Sequence, residues 1–437
     1  MSLIKDYFEK TKNHCDEFGE HTIVLIQNGA FFEVYGLKDD NDNYYGCKIL
    51  DFSRICDLNI VDKKAAGDKN VLFEGAKVVN AGFKTHLIDK YLKKMQDQGY
   101  TIAVYEEDEH TSDKITRSIT GIYSPGTFLS NETDIITNNT CCIWFEVKTP
   151  LLRNKSKSNK NMNNKTIFVG ASQIDIYTGY TSIIEYNQEY IKNPTTFDEL
   201  EHFISVYNPS ECIIISNLSF NDINDIISFT NIKSKSIHIV SLLEEQPLKS
   251  YARAINCEKQ IYQLQLLNRF YKINDPQAFM GLFNDNVYAT QSFCYLLDFI
   301  YQHNPNLVYK ICEPILENTS KRLVLANHSL KQLNIIDDNN YKGKYSSVVR
   351  MLNECVTSMG KREFDHSFLN PITDEDALQN EYNITEHLLN NFDSYTVIKA
   401  HLSSIRDLSK IMRQIMLKKV TPKAIYQLYT GIKTAKT

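Results

Sequence analysis

The sequence predicts two α/β domains followed by an all-helical region. Three observations predict it. Up to about residue 130, short apolar runs closed by turn signals alternate with helically spaced apolar residues. Between about 135 and 250, strand, strand, helix and strand patterns follow one another, as in an α/β domain. From about 255 to the end the apolar spacing is helical. A length of 437 residues suits two to four domains, and 42 % apolar residues supply real cores.

In the first region (1–130), Thr22–Gln27 is a short apolar strand ending at the Asn28-Gly29 turn signal. Phe31–Tyr35 reads as the next strand. Phe83, Leu87, Ile88, Tyr91, Leu92 and Met95 fall at helical spacing, with Gly99 placed to end that helix. Thr101–Tyr105 then reads as a strand.

In the second region (135–250), Ile167–Ile176 and Tyr180–Tyr186 read as paired strands turning at Thr178-Gly179. Thr196 and Glu199 have capping-box spacing, and the helix behind them turns Phe197, Leu200, Phe203, Ile204 and Tyr207 inward until Asn208-Pro209. Cys212–Ile215 is a buried strand. Ahead of these strands, Arg153, Lys155, Lys157, Lys160 and Lys165 stand among Asn and Ser with no acid, a solvated loop or a phosphate-touching arm.

In the third region (255–437), Leu352, Val356, Met359, Phe364 and Phe368 keep helical spacing until Asn370-Pro371. The last 33 residues carry eight Lys or Arg against the single Asp407. That balance suits a solvated helix face, with a DNA-facing or partner-facing element as the second reading.

The bulk numbers exclude several classes. A net charge of −5 rules out a protein that holds DNA by a general basic field, so any DNA contact is local. The ten cysteines contain no Cys-x-x-Cys, and no His pair has zinc spacing; free thiols in a reducing, intracellular compartment are expected, with no metal site. The N-terminus has no signal core, and no run of about 18 apolar residues predicts a membrane span. The Gly-Lys pairs, Gly343-Lys344 and Gly360-Lys361, lack the preceding Gly and following Ser or Thr of a phosphate loop. Neither His-Glu-x-x-His nor Gly-x-Ser-x-Gly occurs. No catalytic residue is expected, and the chain as given reads as a non-enzyme.

By spacing alone, Gln27–Tyr35 is a tight turn presenting two aromatics and a carboxylate, with Phe31 or Phe32 in the core and Glu33 in solvent. Yet Gly29-Ala30-Phe31-Phe32-Glu33-Val34 resembles the Gly-Asp-Phe-Tyr-Glu-Leu signature of the mismatch-binding domain of the MutS-type DNA mismatch repair family. Ala81-Gly82-Phe83-Lys84-Thr85-His86, then Tyr91-Leu92 and Gln98–Glu106, resembles the family's next block. Arg117 through Thr127 resembles the stretch that closes the domain. Leu330–Ile335, Val356–Arg362 and Phe368–Pro371 resemble its helical core. These blocks keep family order from residue 27 to about 376. Ala30, Lys84, Thr85 and Gly121 depart from the usual Asp, Pro, Tyr and Arg.

The resemblance implies a mismatch-binding α/β domain, an RNase H-like connector, and a helical core with part of the lever, without clamp or ATPase. It implies Phe31 as a wedge stacked on the mispaired base, Glu33 as the carboxylate that hydrogen-bonds it, and Arg117 as a DNA-backbone contact. His86 is expected as a satisfied core histidine. Expected partners are mismatched double-stranded DNA, a second MutS-like subunit in a homo- or heterodimer, and a downstream repair factor. No cofactor is expected in this chain; ATP and Mg belong to a C-terminal ATPase of a longer parent. Two rivals stand beside this reading: a scaffold that retains the fold without binding mismatches, and a nuclease using Asp175, which lacks the converging carboxylates that two-metal chemistry needs.

Overall fold

The computed structural model describes residues 3–64, 70–108, 116–129, 136–149, 165–271, 281, 283–317, 323, 327–337 and 343–436. Residues 151–164 of the basic loop lie outside them.

The first unit opens with helix α1 (Leu3–Phe18), which is not among the elements expected from the sequence, and continues with β1 (Thr22–Asn28), β2 (Phe31–Lys38), β3 (Tyr44–Tyr45), α2 (Ile49–Cys56), β4 (Val61–Asp62), β5 (Leu72–Phe73), β6 (Ala76–Lys84), α3 (Ile88–Asp97), β7 (Thr101–Glu107) and β8 (Arg117–Tyr123). The sheet order is β4-β6-β2-β1-β7-β8, with β3 added to β2 and β5 to β6. Within it β1 and β7 run parallel, while β2 is antiparallel to both β1 and β6.

Side chains alternate between the faces of a strand, and here both faces are used. Phe32 on β2 lies opposite Phe83 on β6, and Phe83 packs on Phe52 of α2 and Tyr91 of α3. On the opposite face Tyr7 of α1 meets the ring of Tyr35 at 5.1 Å. The helix expected from Phe83 begins only at Ile88. Phe83 is the last core residue of β6, and its ring stacks on Tyr91 at 4.3 Å, so an intersegment contact imitates helical spacing. Gly99 ends the helix as expected, at φ +83°.

The second sheet contains β9 (Asn139–Lys148), β10 (Thr166–Asp175), β11 (Thr181–Glu189), β12 (Glu211–Ser216), β13 (Ser236–Ser241) and β14 (Ile315–Leu316), in the order β13-β12-β9-β10-β11-β14. β9, β10 and β11 are antiparallel; β12 runs parallel to β9, and β13 to β12. Helices α4 (Asp198–Tyr207) and α5 (Phe220–Phe229) cover one face through Phe203, Ile204, Ile223 and Ile226. Helices α6 (Lys249–Cys257), α7 (Gln260–Tyr271) and α8 (Val287–His303) cover the other, around Trp144, Leu267, Phe293 and Leu296. A Cβ on Gly170 of β10 would lie 2.1 Å from the Tyr288 carbonyl carbon, so α8 rests on the sheet backbone itself.

The division expected at 250–255 therefore does not coincide with a break in packing. The helices up to His303 close the second core, and β14 extends its sheet. Nor does the capping box form. Asn193 caps the short 3-10 turn Pro194–Phe197 by accepting from the Thr196 N–H, while the Thr196 hydroxyl turns to the Ile191 carbonyl.

The remaining helices are α9 (Asn327–Gln332), α10 (Val348–Leu352), α11 (Ser358–Leu369), α12 (Glu375–Asn390), α13 (Phe392–Ser403), α14 (Leu408–Met416) and α15 (Pro422–Lys436). The spacing from Leu352 to Phe368 spans two helices, because the Thr357 side chain accepts from the Gly360 N–H and starts α11 afresh. The basic end is not simply solvated. Arg413 is 1 % exposed and donates to the carbonyls of Leu307, Tyr309 and Lys310. Arg362 holds Asp407 through two bonds of 2.6 and 2.8 Å. No helix among the described residues is long and apolar enough to cross a membrane.

Candidate nucleic-acid interface

Asn28 pairs with Phe31, so Gly29 and Ala30 alone form the turn between β1 and β2. Gly29 has φ +59°, and Ala30 stays at negative φ. A left-handed first position occupied by Gly is the requirement of a II′ hairpin turn. Ala30 therefore costs this turn nothing, and its carbonyl accepts from the Thr85 N–H at 3.0 Å.

The turn is tied to its neighbours. Glu107 Oε1 accepts from the Gly29 N–H at 3.2 Å and from Arg117 at 2.6 Å. Arg117 Nε donates to the Gln27 carbonyl at 2.6 Å. Arg117, expected to face the DNA backbone, instead spends its guanidinium on the hairpin and is only 11 % exposed. Beside it lies an open cleft of about 530 Å³ with Glu106, Glu107 and Asp108 in its wall, a flank that repels phosphate.

Phe31 starts β2 and is 44 % exposed, whereas Phe32, on the other face, is 2 % exposed. The alternation of a strand sorts the two aromatics that the sequence left undivided. Lys84 lies directly opposite Phe31 and is also exposed. His86 stands exposed in the 3-10 turn Thr85–Leu87, not in the core.

Glu33 shares the Phe31 face, but it is not a free carboxylate in solvent. Lys63 Nζ lies 2.8 Å from Oε2 and 3.2 Å from Oε1. Asn28 donates to Oε2 and Asn80 to Oε1, each at 3.0 Å, and the Tyr35 hydroxyl also donates to Oε2. Burial pushes the Glu33 carboxyl upward; hydrogen bonds from Lys63, Tyr35 and Asn28 and the Lys63 charge outweigh it and hold the group below its ordinary value. Burial and the Glu33 charge drive the Tyr35 phenol well above its usual range. Gly82, opposite Glu33, makes room for this cluster: a Cβ there would come within 2.6 Å of the Phe32 carbonyl and 3.1 Å of Glu33 Cγ.

Lys63 and Asn80 escaped sequence reasoning, because β6 and the segment after β4 bring them to Glu33 across 30 and 47 positions. Asp175 does not form a metal site. Its Oδ1 accepts from the N–H groups of Asn138 and Tyr177, and its Oδ2 from the Thr178 hydroxyl. Among the described residues, no three His, Cys, Asp or Glu side chains are grouped to hold a metal.

Residues 3–132 match the family model for MutS domain I, and residues 328–437 that for MutS domain III. The chain is 27 % identical over 446 residues to a DNA mismatch repair protein mutS homolog of Acanthamoeba polyphaga mimivirus, covering 95 % of this chain and 37 % of that protein. It is 25 % identical to the DNA mismatch repair protein MutS of Caldanaerobacter subterraneus, over 78 % of this chain and 35 % of that protein. It is 24 % identical to the mitochondrial DNA mismatch repair protein mutS homolog of Sarcophyton glaucum, over 97 % of this chain and 44 % of that protein. The chain thus spans less than half the length of each. Two MutS domains in family order, around the hairpin that carries the signature, lead to one conclusion: the chain belongs to the MutS family of DNA mismatch repair proteins.

Proposed function

We propose that the chain recognises mispaired or looped double-stranded DNA by inserting Phe31 into a kinked site. The observation that carries this reading is the exposed Phe31 ring at the tip of a two-residue hairpin. Kinking a short site costs on the order of 1–6 kcal/mol. Stacking an aromatic on a base returns roughly 1–3 kcal/mol. On a perfect duplex the two nearly cancel, so insertion gains little. Where pairing is already broken, unstacking is cheaper and insertion wins, so deformability selects the site.

The order β11-β10-β9-β12-β13, with three antiparallel strands and then two parallel ones, supports an RNase H-like connector. The similarity to MutS relatives supports action together with a second MutS-like subunit and with an ATP- and Mg-dependent ATPase, as the family resemblance implies. The test is competition between mismatched and matched duplexes for the wild type and Phe31→Ala. The variant is expected to retain its fold and lose its preference; equal discrimination by both proteins refutes the wedge.

A further inference from the structure

Resting on the wedge reading, we infer that Lys63 is a specificity-determining residue of the mismatch site, screening Glu33 from the DNA phosphates until a displaced base brings an N–H of its own. The geometry points to this residue. Glu33 lies two positions beyond Phe31 on the same face of β2, roughly 7 Å along the strand, within reach of the edge of a base stacked on the ring. A carboxylate has about four lone-pair sites, and donors from Lys63, Asn28, Asn80 and Tyr35 already fill them. A base can bond Glu33 only by displacing one of these donors.

Three of the four sit on paired strands: Asn28 on β1, Tyr35 on β2 and Asn80 on β6. Lys63 follows the two-residue edge strand β4; its backbone N–H is held by the Val78 carbonyl and its ammonium lies 5.1 Å from the Tyr35 ring centroid, but it reaches in along a long flexible side chain that is 23 % exposed. It is the donor able to leave. Its ammonium is replaced at Glu33 by an N–H such as thymine N3–H or guanine N1–H, and it then turns to a phosphate or a base acceptor. Glu33 then keeps its charge against neutral donors only, and the Lys63 ammonium takes its counter-charge from the phosphate. On a matched duplex every base N–H is already paired, so Lys63 stays in place and masks the carboxylate.

The titratable groups facing Glu33 are Lys63 and Tyr35, with Arg117 acting on Tyr35. In Lys63→Met the carboxylate loses its counter-charge and stands unscreened. The experiment measures anisotropy of labelled G·T, unpaired-T and matched duplexes at about pH 8 and fixed salt, using the full chain. Lys63→Met is expected to bind the matched duplex about tenfold more weakly than the wild type, while G·T and unpaired-T binding changes little. Lys63→Arg should restore the wild-type pattern. The double variant Lys63→Met with Glu33→Gln should recover matched-duplex binding, and it is read in place of the single variant if that does not fold. A Lys63→Met pattern equal to the wild type, or an equal loss on all three duplexes, overturns the role of Lys63. Phe31→Ala run alongside reports separately on the wedge.

Discussion

The Ser124 hydroxyl donates to Glu211 Oε2 at 2.5 Å across 87 positions of sequence. The Gly126 N–H reaches the same oxygen at 3.0 Å, while His238 Nε2 lies 2.7 Å from Oε1. The segment that leaves the first sheet is thus fastened to the first residue of β12 by a side chain with no solvent exposure. Truncating a buried carboxylate leaves its buried donors unsatisfied, at about 1–3 kcal/mol per group. Glu211→Ala is expected to lose about that much stability, read as a lower denaturant midpoint at pH 7.

Acid should release the same fastening. Burial pushes the Glu211 carboxyl upward, but His238, His303 and Ser124 outweigh it and hold it below its ordinary value. A depressed carboxylate contributes stability above its unfolded value of about 4.3 and loses it as pH falls through the folded value. The gap between wild type and Glu211→Gln should therefore be open at pH 7, begin to narrow below about pH 4.3, and close only as the pH passes the depressed folded value.

His303 acts in a higher window. Burial lowers its pKa to about 4, and its ring packs on Phe18 of α1 at 5.0 Å. A histidine held neutral in the fold contributes fully above its unfolded value of about 6.5 and loses that contribution as pH falls toward 4. The loss amounts to roughly 3 kcal/mol at most, by 1.36 kcal/mol per unit. Thermal melts of His303→Phe should show a shallower decline between pH 6.5 and 4 than those of the wild type.

Lys84 and Arg117 should behave oppositely. Lys84 flanks the Phe31 ring and is expected to touch phosphate. Lys84→Ala should weaken matched and mismatched binding by the same factor and reduce the salt slope by about one. Arg117 is committed to Glu107 and Gln27. Arg117→Ala should leave the salt slope unchanged and lower stability by about 1.5–3 kcal/mol, as for lost hydrogen bonds to a charged group. Fluorescence titrations over a range of salt, paired with melts, separate the two outcomes.

Gly82→Ala should injure the site from within. The added carbon meets the Phe32 carbonyl and Glu33, neither of which is the far end of a flexible chain. Overpacking of this kind costs about 1–3 kcal/mol. The expected result is a lower melting temperature with a weakened mismatch preference.

Strands β1, β2, β7, β10, β11 and β12, together with the hairpin turn, were legible in the sequence as short apolar runs, with turn signals at Asn28-Gly29 and Thr178-Gly179. The position of Phe31 was legible through the resemblance; its exposure, with Phe32 beneath it, needed the register of β2. The bond from Arg117 to Glu107, ten residues away, was not legible, because the pairing of β7 with β8 brings the two together. The helices from α6 to α8 read as a separate helical domain because amphipathic spacing does not say which surface a helix will cover. Lys63 was invisible for a similar reason: its partner lies 30 positions away on another strand.

The hairpin that carries Phe31 has almost no slack. Two residues close the turn, both strands are paired on their outer edges, and Glu107 fastens the tip to β7. A ring mounted on a loose loop would yield when pressed against a stack of bases. Mounted on this frame, the wedge proposed for Phe31 would leave the duplex as the softer body, so that the DNA would take up the deformation and the protein would serve as the anvil.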